Sequence, residues 1–265
     1  MVTGGRLSMI LTNRNYYSPA ANLAYMSVSQ FKSFRSCEAA AMAQLRGEWG
    51  QPMTTALLVG SYVDSFFEGT LPEFCESHPE IYTKTGKLKA DFMQAENIIA
   101  RVKRDDKFMY YMSGKKQIIL TREMFGTPWK IKIDSYHPGS MIVDLKVMHS
   151  MERVMGKSFV EHWGYDHQMA VYSAVEGNGL ETYLAVVTKQ EPSDLEVIHV
   201  PKWRREECLD EIARAMPRIL AVKRAEIEPE RCGVCDYCRA TKTITEPIDF
   251  ELVGLSAAER RAVGF

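Results

Sequence analysis

An α/β (α+β) fold, with a central mixed β-sheet flanked by helices, is the class this sequence predicts. Three observations lead to it. The first hundred residues place apolar side chains at helical spacing. Residues 116–148 switch to an isoleucine-rich alternation of period two. The remainder reads helix, strands, helix. At 265 residues and 46% hydrophobic content, the chain is long enough to bury a large core.

The elements follow in order. Ser27 stands three residues before Gln30, a capping-box spacing, and the pattern predicts one helix over about 28–47. A second helix is predicted over 54–69. Gly60 lies inside it, which costs helix stability and suggests close packing. Pro72, Pro79 and Gly86 make 72–87 loop-like, and 88–111 reads as helix. "KQIILTREMFG", "PWKIKIDSYH" and "MIVDLKVM" alternate as strands, with "HPGS" turning between the last two. "SFVEHWGYDHQMAVYSAVEG" is a helix ending at Gly177 or Gly179. "LETYLAVVTKQ" and "LEVIHVP" are two further strands. "RREECLDEIARAMPRILAVKRAE" is a helix kinked or restarted at Pro217. An irregular tail closes the chain. The division expected is an N-terminal extension over 1–26, one domain over 27–243 and a tail over 244–265.

Composition excludes some classes and leaves others open. The net charge of −1 argues neither for nor against nucleic acid. Residues 101–132 carry nine Lys/Arg against three Asp/Glu, a segment that fits a polyanion groove or a solvated basic face. No apolar run approaches 18 residues, so no membrane span is expected. The N-terminus lacks a signal-peptide pattern, and a cytoplasmic protein with reduced or metal-bound cysteines is expected. The fifteen methionines read as core filler.

Asp144 and Lys146 are two apart on a predicted strand and so share a face. If the strands around "HPGS" pair as a hairpin, Asp134 lies near Asp144. Paired carboxylates favour a hard divalent cation such as Mg²⁺ or Mn²⁺, and an ammonium beside them suits phosphodiester hydrolysis. The spacing alone also fits an edge hairpin with a cross-strand ion pair. The flanks add Asp64, four residues after Gly60, and Gln168 with Tyr172, four apart on one helix.

This set resembles the PD-(D/E)xK nuclease superfamily and, within it, the RecB-like branch. Over about 27–243 the chain is similar to phage and prophage RecE-like exonucleases of the exonuclease VIII type, with "SVSQFKSF" and "CGVCDYCR" adding to the likeness. The resemblance implies a restriction-endonuclease-like core. It implies catalytic roles for Asp134, Asp144 and Lys146. Metal ligation falls to Asp64, Asp134, Asp144 and the Leu145 backbone carbonyl, and DNA contact or support to Gln168 and Tyr172. Asp64 departs from the pattern, since many relatives carry histidine there. Glu68 reads as a supporting or solvated residue, and His137, His149, His162 and His167 as surface or packing residues. The activity implied is Mg-dependent exonuclease action on linear duplex DNA ends, 5′-to-3′, in phage-type recombination. A single-strand annealing protein is the implied partner, and a homo-oligomer is compatible with the likeness. The alternatives are a catalytically decayed DNA-end or partner-binding module, and an endonuclease or end-processing nuclease on the same fold.

Cys232, Cys235 and Cys238 form C-x2-C-x2-C, a strong metal or cluster signal in a reducing compartment. Three thiolates need a fourth ligand. Cys37 is the natural candidate, with Cys75 and Cys208 in reserve and otherwise read as buried small hydrophobes. The resemblance implies a [4Fe-4S] cluster here; zinc and free thiols are the alternatives. The gap between Cys235 and Cys238 is shorter than is usual in the cluster-bearing relatives.

Overall fold

The structure is a computed structural model that describes residues 9–50 and 52–263. Residues 1–8 of the expected N-terminal extension, Gln51, and residues 264–265 of the expected tail lie outside the described residues. The elements are α1 (Pro19–Ala24), α2 (Val28–Ser36), α3 (Glu38–Arg46), α4 (Thr55–Glu68), α5 (Leu71–Ser77), α6 (Ala90–Val102) and α7 (Asp106–Tyr111). Then come β1 (Ile118–Met124), β2 (Thr127–Ile133), β3 (Ser135–His137), β4 (Met141–Met148), α8 (Phe159–His162), α9 (Tyr165–Glu176), β5 (Glu181–Thr188) and β6 (Leu195–His199). The chain ends with α10 (Lys202–Lys223), α11 (Asp236–Ala240) and α12 (Ala257–Ala262). Two compact units emerge. Among the described residues, one is drawn from 9–50, 123–129 and 211–263, the other from 52–122 and 130–210.

The second unit is built on a mixed sheet in the order β3-β4-β5-β6. β4 and β5 run parallel, with Asp144 beside Leu184 and Lys146 beside Val186; β3 and β6 pair antiparallel at the two sides. A parallel pair needs a long crossover, and α8 and α9 supply it. Alternation along β4 divides its residues. Met141, Val143 and Leu145 join a core with Leu58, Val59 and Val63 of α4 and Ile98 and Ile99 of α6. Ile142, Asp144 and Lys146 therefore point to the opposite face. α4 starts at Thr54, whose hydroxyl accepts from the Leu57 amide, and ends at Gly69 with φ 79°.

The first unit gathers α1–α3, the turn between β1 and β2, the later part of α10 and the C-terminal helices. Lys223 closes it from α10 by donating to the carbonyls of Asn22 (3.1 Å) and Tyr25 (3.2 Å) and to Gln30 Oε1 (3.0 Å). Trp129 is fully buried, and its indole N–H donates to the Met124 carbonyl at 3.1 Å.

Several expectations need correction. The helix over 28–47 is two helices broken at Cys37, which is extended (φ −163°, ψ 109°) and serves as C-cap of α2 and N-cap of α3. Only half the capping box forms. Ser27 accepts from the Gln30 amide, but the Gln30 side chain donates to the Asn22 and Tyr25 carbonyls. Gly60 is not a close-packing glycine, since an added Cβ would meet nothing within 4 Å. The segment 72–87 holds most of α5 and a 3-10 turn at Pro79–Ile81, because proline is tolerated in a first helical turn. Residues 88–111 divide into α6 and α7, and 158–177 into α8 and α9 at Gly164, which takes φ 63°. α10 runs through Pro217 without restarting. β2 forms a two-stranded sheet with β1, so the hairpin around "HPGS" is only three residue pairs long. The tail is not wholly irregular, since Ser256 and Glu259 close a capping box at the start of α12.

Ile98 is fully buried in the α4–α6–sheet core, whereas Met93 on the same helix is 57% exposed. Ile98→Ala should cost about 2–5 kcal/mol by denaturant unfolding, from lost transfer energy and the cavity left behind. Met93→Ala should stay within about 0.5 kcal/mol.

Candidate active site

The hydrophilic positions of β4 and its neighbours converge in the second unit. Asp134 sits at the bend between β2 and β3. Its Oδ2 accepts from the Leu145 amide at 3.0 Å and its Oδ1 from Gln117 Nε2 at 3.3 Å. Asp144 is 2% exposed. Gln168 Nε2 donates to its Oδ1 at 2.6 Å, while its Oδ2 pairs with the Lys146 ammonium. Gln168 also donates to the Tyr172 hydroxyl at 3.1 Å, and that hydroxyl donates to the Lys132 carbonyl at 2.9 Å. The two side chains one turn apart on α9 thus form a relay from the sheet backbone to the Asp144 carboxylate. The Lys146 ammonium lies 4.8 Å from the centre of the Tyr165 ring, a cation–π contact.

Electrostatics bind Asp64 into this group. Burial pushes its pKa up to about 7; Asp144 and Glu68 push the same way, and Lys146 and Lys132 push against them. Asp134 is held well above the carboxylate range by burial first, then by Asp144 and Asp64. Burial works against the Lys146 ammonium, but Asp144 and Asp134 outweigh it and raise its pKa. Each carboxylate makes its neighbours harder to ionise, a conflict that a divalent cation relieves. The donor set is hard oxygen, which suits Mg²⁺ or Mn²⁺. Among the described residues, the oxygens of Asp64, Asp134 and Asp144 do not all come within 4.8 Å of one another. Lys146 occupies Asp144 Oδ2, the oxygen that Gln168 leaves free.

The structure therefore brings Asp64, Asp134, Asp144, Lys146, Gln168 and Tyr172 into one network. The Leu145 amide serves Asp134, and its side chain joins the core. Glu68 reaches Asp64 only electrostatically, and its carboxylate accepts from the Thr70 hydroxyl at 3.4 Å. His137 bonds the Tyr111 carbonyl, and His167 pairs with Asp166. Asp166, His167 and Cys208 have metal-like spacing. However, Arg204 forks onto Asp166 Oδ2 at 2.7 and 2.9 Å, making the set an ion-pair network.

Sequence reasoning missed Gln117 and Tyr165. Gln117 takes φ 54° and leaves a buried Oε1 without a hydrogen-bond partner, beside Asp134. No motif marks it. Tyr165, Gln168 and Tyr172 stand at i, i+3 and i+7, and extending the stripe one turn back would have found the first. Lys189 and Lys116 also lie within electrostatic reach, of Asp64 and Asp134 respectively.

In the first unit, the sulfurs of Cys37, Cys232, Cys235 and Cys238 all lie within 4.8 Å of one another. Cys208 is fully buried as expected, but Cys75 is only half-buried at the edge of the core, so the small-hydrophobe reading fits it less well.

A mixed sheet flanked by helices, with two acids and a lysine at its centre, defines a protein of the PD-(D/E)xK nuclease class. The chain belongs to the family described as PDDEXK-like domain of unknown function (DUF3799), whose model matches residues 27–241. It is similar to a crystal structure of a candidate exonuclease from Eubacterium rectale. The identity is 49% and the TM-score 0.88, over 93% of this chain and 99% of that one. A second solved structure, SSO0001, aligns at 12% identity and TM-score 0.34 over 83% of this chain and 98% of that one, too distant to carry an argument. No curated protein matches. No described helix is long and apolar enough to cross a membrane.

Gln168→Leu removes the amide that orients Asp144 and keeps the apolar bulk. Nuclease activity should fall about 10–100-fold, the usual effect of losing a ligand's supporting hydrogen bond. The thermal midpoint should fall, since a buried carboxylate oxygen loses its donor at a cost of about 1–3 kcal/mol, so activity is compared well below that midpoint. Activity at the wild-type level would show that Asp144 needs no such support.

Proposed function

We propose that this chain is a divalent-metal-dependent deoxyribonuclease that degrades linear duplex DNA from its ends. The observation that carries the reading is Asp144 itself. It is buried on a sheet strand, fixed by Gln168 on one oxygen and faced by Lys146 on the other, with Asp134 and Asp64 in electrostatic contact. A structural ion pair needs only Asp144 and Lys146; it gives no reason to set two further half-buried carboxylates within electrostatic reach of them.

Asp64, Asp134, Asp144 and the Leu145 carbonyl are the groups that would hold Mg²⁺ or Mn²⁺. The cation, when bound, supplies Lewis-acid charge to the scissile phosphate. Asp134 stays fixed by the Leu145 amide, so one ligand is positioned by the strand that bears the next. Lys146, once released from Asp144 Oδ2, would present its ammonium to the charge that develops as water adds to phosphorus and the ester oxygen departs. Gln168 and Tyr172 hold the Asp144 carboxylate while that exchange occurs. The half-exposed α4 face at Gly60, open around its missing side chain and one turn before Asp64, leaves room for a sugar–phosphate backbone.

Exonuclease action, 5′-to-3′ polarity, a place in phage-type recombination and a single-strand annealing partner follow from the resemblance. The description of the Eubacterium rectale relative supports the first of these. Assembly as a homo-oligomer and a cytoplasmic setting belong to the same reading.

The metal requirement is tested on end-labelled linear duplex beside a closed circular control. EDTA should abolish hydrolysis and Mg²⁺ or Mn²⁺ restore it, and Asp134→Ala and Asp144→Ala should each lose at least about 100-fold. Wild-type activity persisting in EDTA would overturn the mechanism. Cutting of closed circles as fast as linear duplex would replace the exonuclease with an endonuclease.

Lys146 separates binding from chemistry. Lys146→Ala should bind the cation and DNA at least as well as the wild type, because it frees an Asp144 oxygen. Its turnover should drop by about 100-fold or more. Near-wild-type turnover would reduce Lys146 to a salt-bridge partner.

A further inference from the structure

The cysteine quartet in the first unit has a size, and the size distinguishes its candidate occupants. Cys37 Sγ lies 3.7 Å from Cys238 Sγ, and Cys232 Sγ lies 3.9 Å from Cys238 Sγ. No pair among the four sulfurs is separated by more than 4.8 Å. A zinc ion bonded to four thiolates at about 2.3 Å sets neighbouring sulfurs about 3.8 Å apart. A [4Fe-4S] cubane puts an iron between each sulfur and the cluster centre, which spreads the cysteine sulfurs to roughly 6 Å. The cage has room for one ion and not for a cubane.

The backbone around the cage resists widening. The Cys232 amide donates to Cys37 Sγ at 3.5 Å, the Cys235 amide to Cys232 Sγ at 3.3 Å and the Cys238 amide to Cys235 Sγ at 3.4 Å. The Ala39 amide donates to the Glu230 carbonyl at 3.0 Å and the Ala257 amide to the Cys232 carbonyl at 2.8 Å. Glu38, beside Cys37, accepts the Glu230 amide at 2.8 Å and forks with Arg218 at 2.7 and 2.9 Å. Moving the sulfurs apart by about 2 Å to suit the cubane would break several of these bonds at once.

We propose that Cys37, Cys232, Cys235 and Cys238 bind a single zinc ion tetrahedrally, in place of the [4Fe-4S] cluster that the sequence resemblance implies. Three backbone amides aimed at sulfur stabilise the thiolates such an ion requires. Arg231, which donates to the Cys238 carbonyl at 3.3 Å, places a positive charge beside the net negative charge of a four-thiolate site. Zinc has no redox chemistry, so the site is structural: it ties the start of α3 to the segment before α11 within one unit. A groove of about 730 Å³, lined in part by Cys37, Cys232 and Cys235, gives solvent and chelators a route to it.

The test is the metal content of the full chain, purified anaerobically from cells supplied with both iron and zinc. The expected result is colourless protein with about one zinc per chain and no acid-labile sulfide. Cobalt(II) exchanged into the site should give the visible absorption of a tetrahedral tetrathiolate. Cys37→Ser should lower zinc affinity at least about tenfold, whereas Cys75→Ser should keep about one zinc. Brown protein with about four irons and matching sulfide would overturn the proposal in favour of the cluster. Metal-free protein that takes up no zinc would overturn it too. If Cys37→Ser fails to fold, wild-type stoichiometry and the cobalt spectrum still decide the question.

Discussion

Asp144 is buried between an ammonium two residues along its own strand and an amide from α9. Much of the second unit can be read as the means of keeping it there. A buried carboxylate without partners would lose several kcal/mol or take up a proton. The β4–β5 parallel pair fixes the strand, and the α8–α9 crossover that parallel pairing requires returns Gln168 to that strand. Tyr172 anchors the amide to the Lys132 carbonyl, so orientation is set by backbone and not by surface side chains. The apolar residues that alternate with Asp144 and Lys146 on β4 pack into the core and hold the strand from its other face.

Three acids within mutual electrostatic reach are a poor arrangement for stability and a useful one for chemistry. Burial and repulsion raise Asp64 and Asp134 together. A protein selected only for stability would replace one of them with an amide or an aliphatic residue.

Much of this was legible in the sequence, for a physical reason. Strand alternation puts residues two apart on one face, so Asp144 and Lys146 could be paired before any coordinates. The four-residue spacing of Gln168 and Tyr172 is one helical turn. What could not be read was set by tertiary context. Periodicity runs straight across Cys37, and nothing local signals that the backbone turns extended there. Gln117 has no motif, because its role comes from a left-handed backbone and a neighbour seventeen residues away. Gly60 was misread because a glycine in a helix can mean a close neighbour or none, and composition does not distinguish them. The cysteine spacing marked three members of the quartet; the distances between the four sulfurs exist only in three dimensions.

With the proposed zinc bound, the break at Cys37 reverses a familiar relation between metal and secondary structure. In most small metal sites the ion creates order, and removing it melts a helix. Here the residues on either side of Cys37, from Val28 to Arg46, read as one amphipathic segment, and the extended residue between them interrupts a helix the sequence would otherwise continue. Binding at this thiol then works against local propensity. The break does not rest on the thiol alone: the Ala39 amide on the Glu230 carbonyl and the Glu38 carboxylate on the Glu230 amide and Arg218 pin the start of α3 as well. A helix that its own sequence would run straight is thus bent by what docks against it, and the cost of the bend is shared between sulfur and backbone.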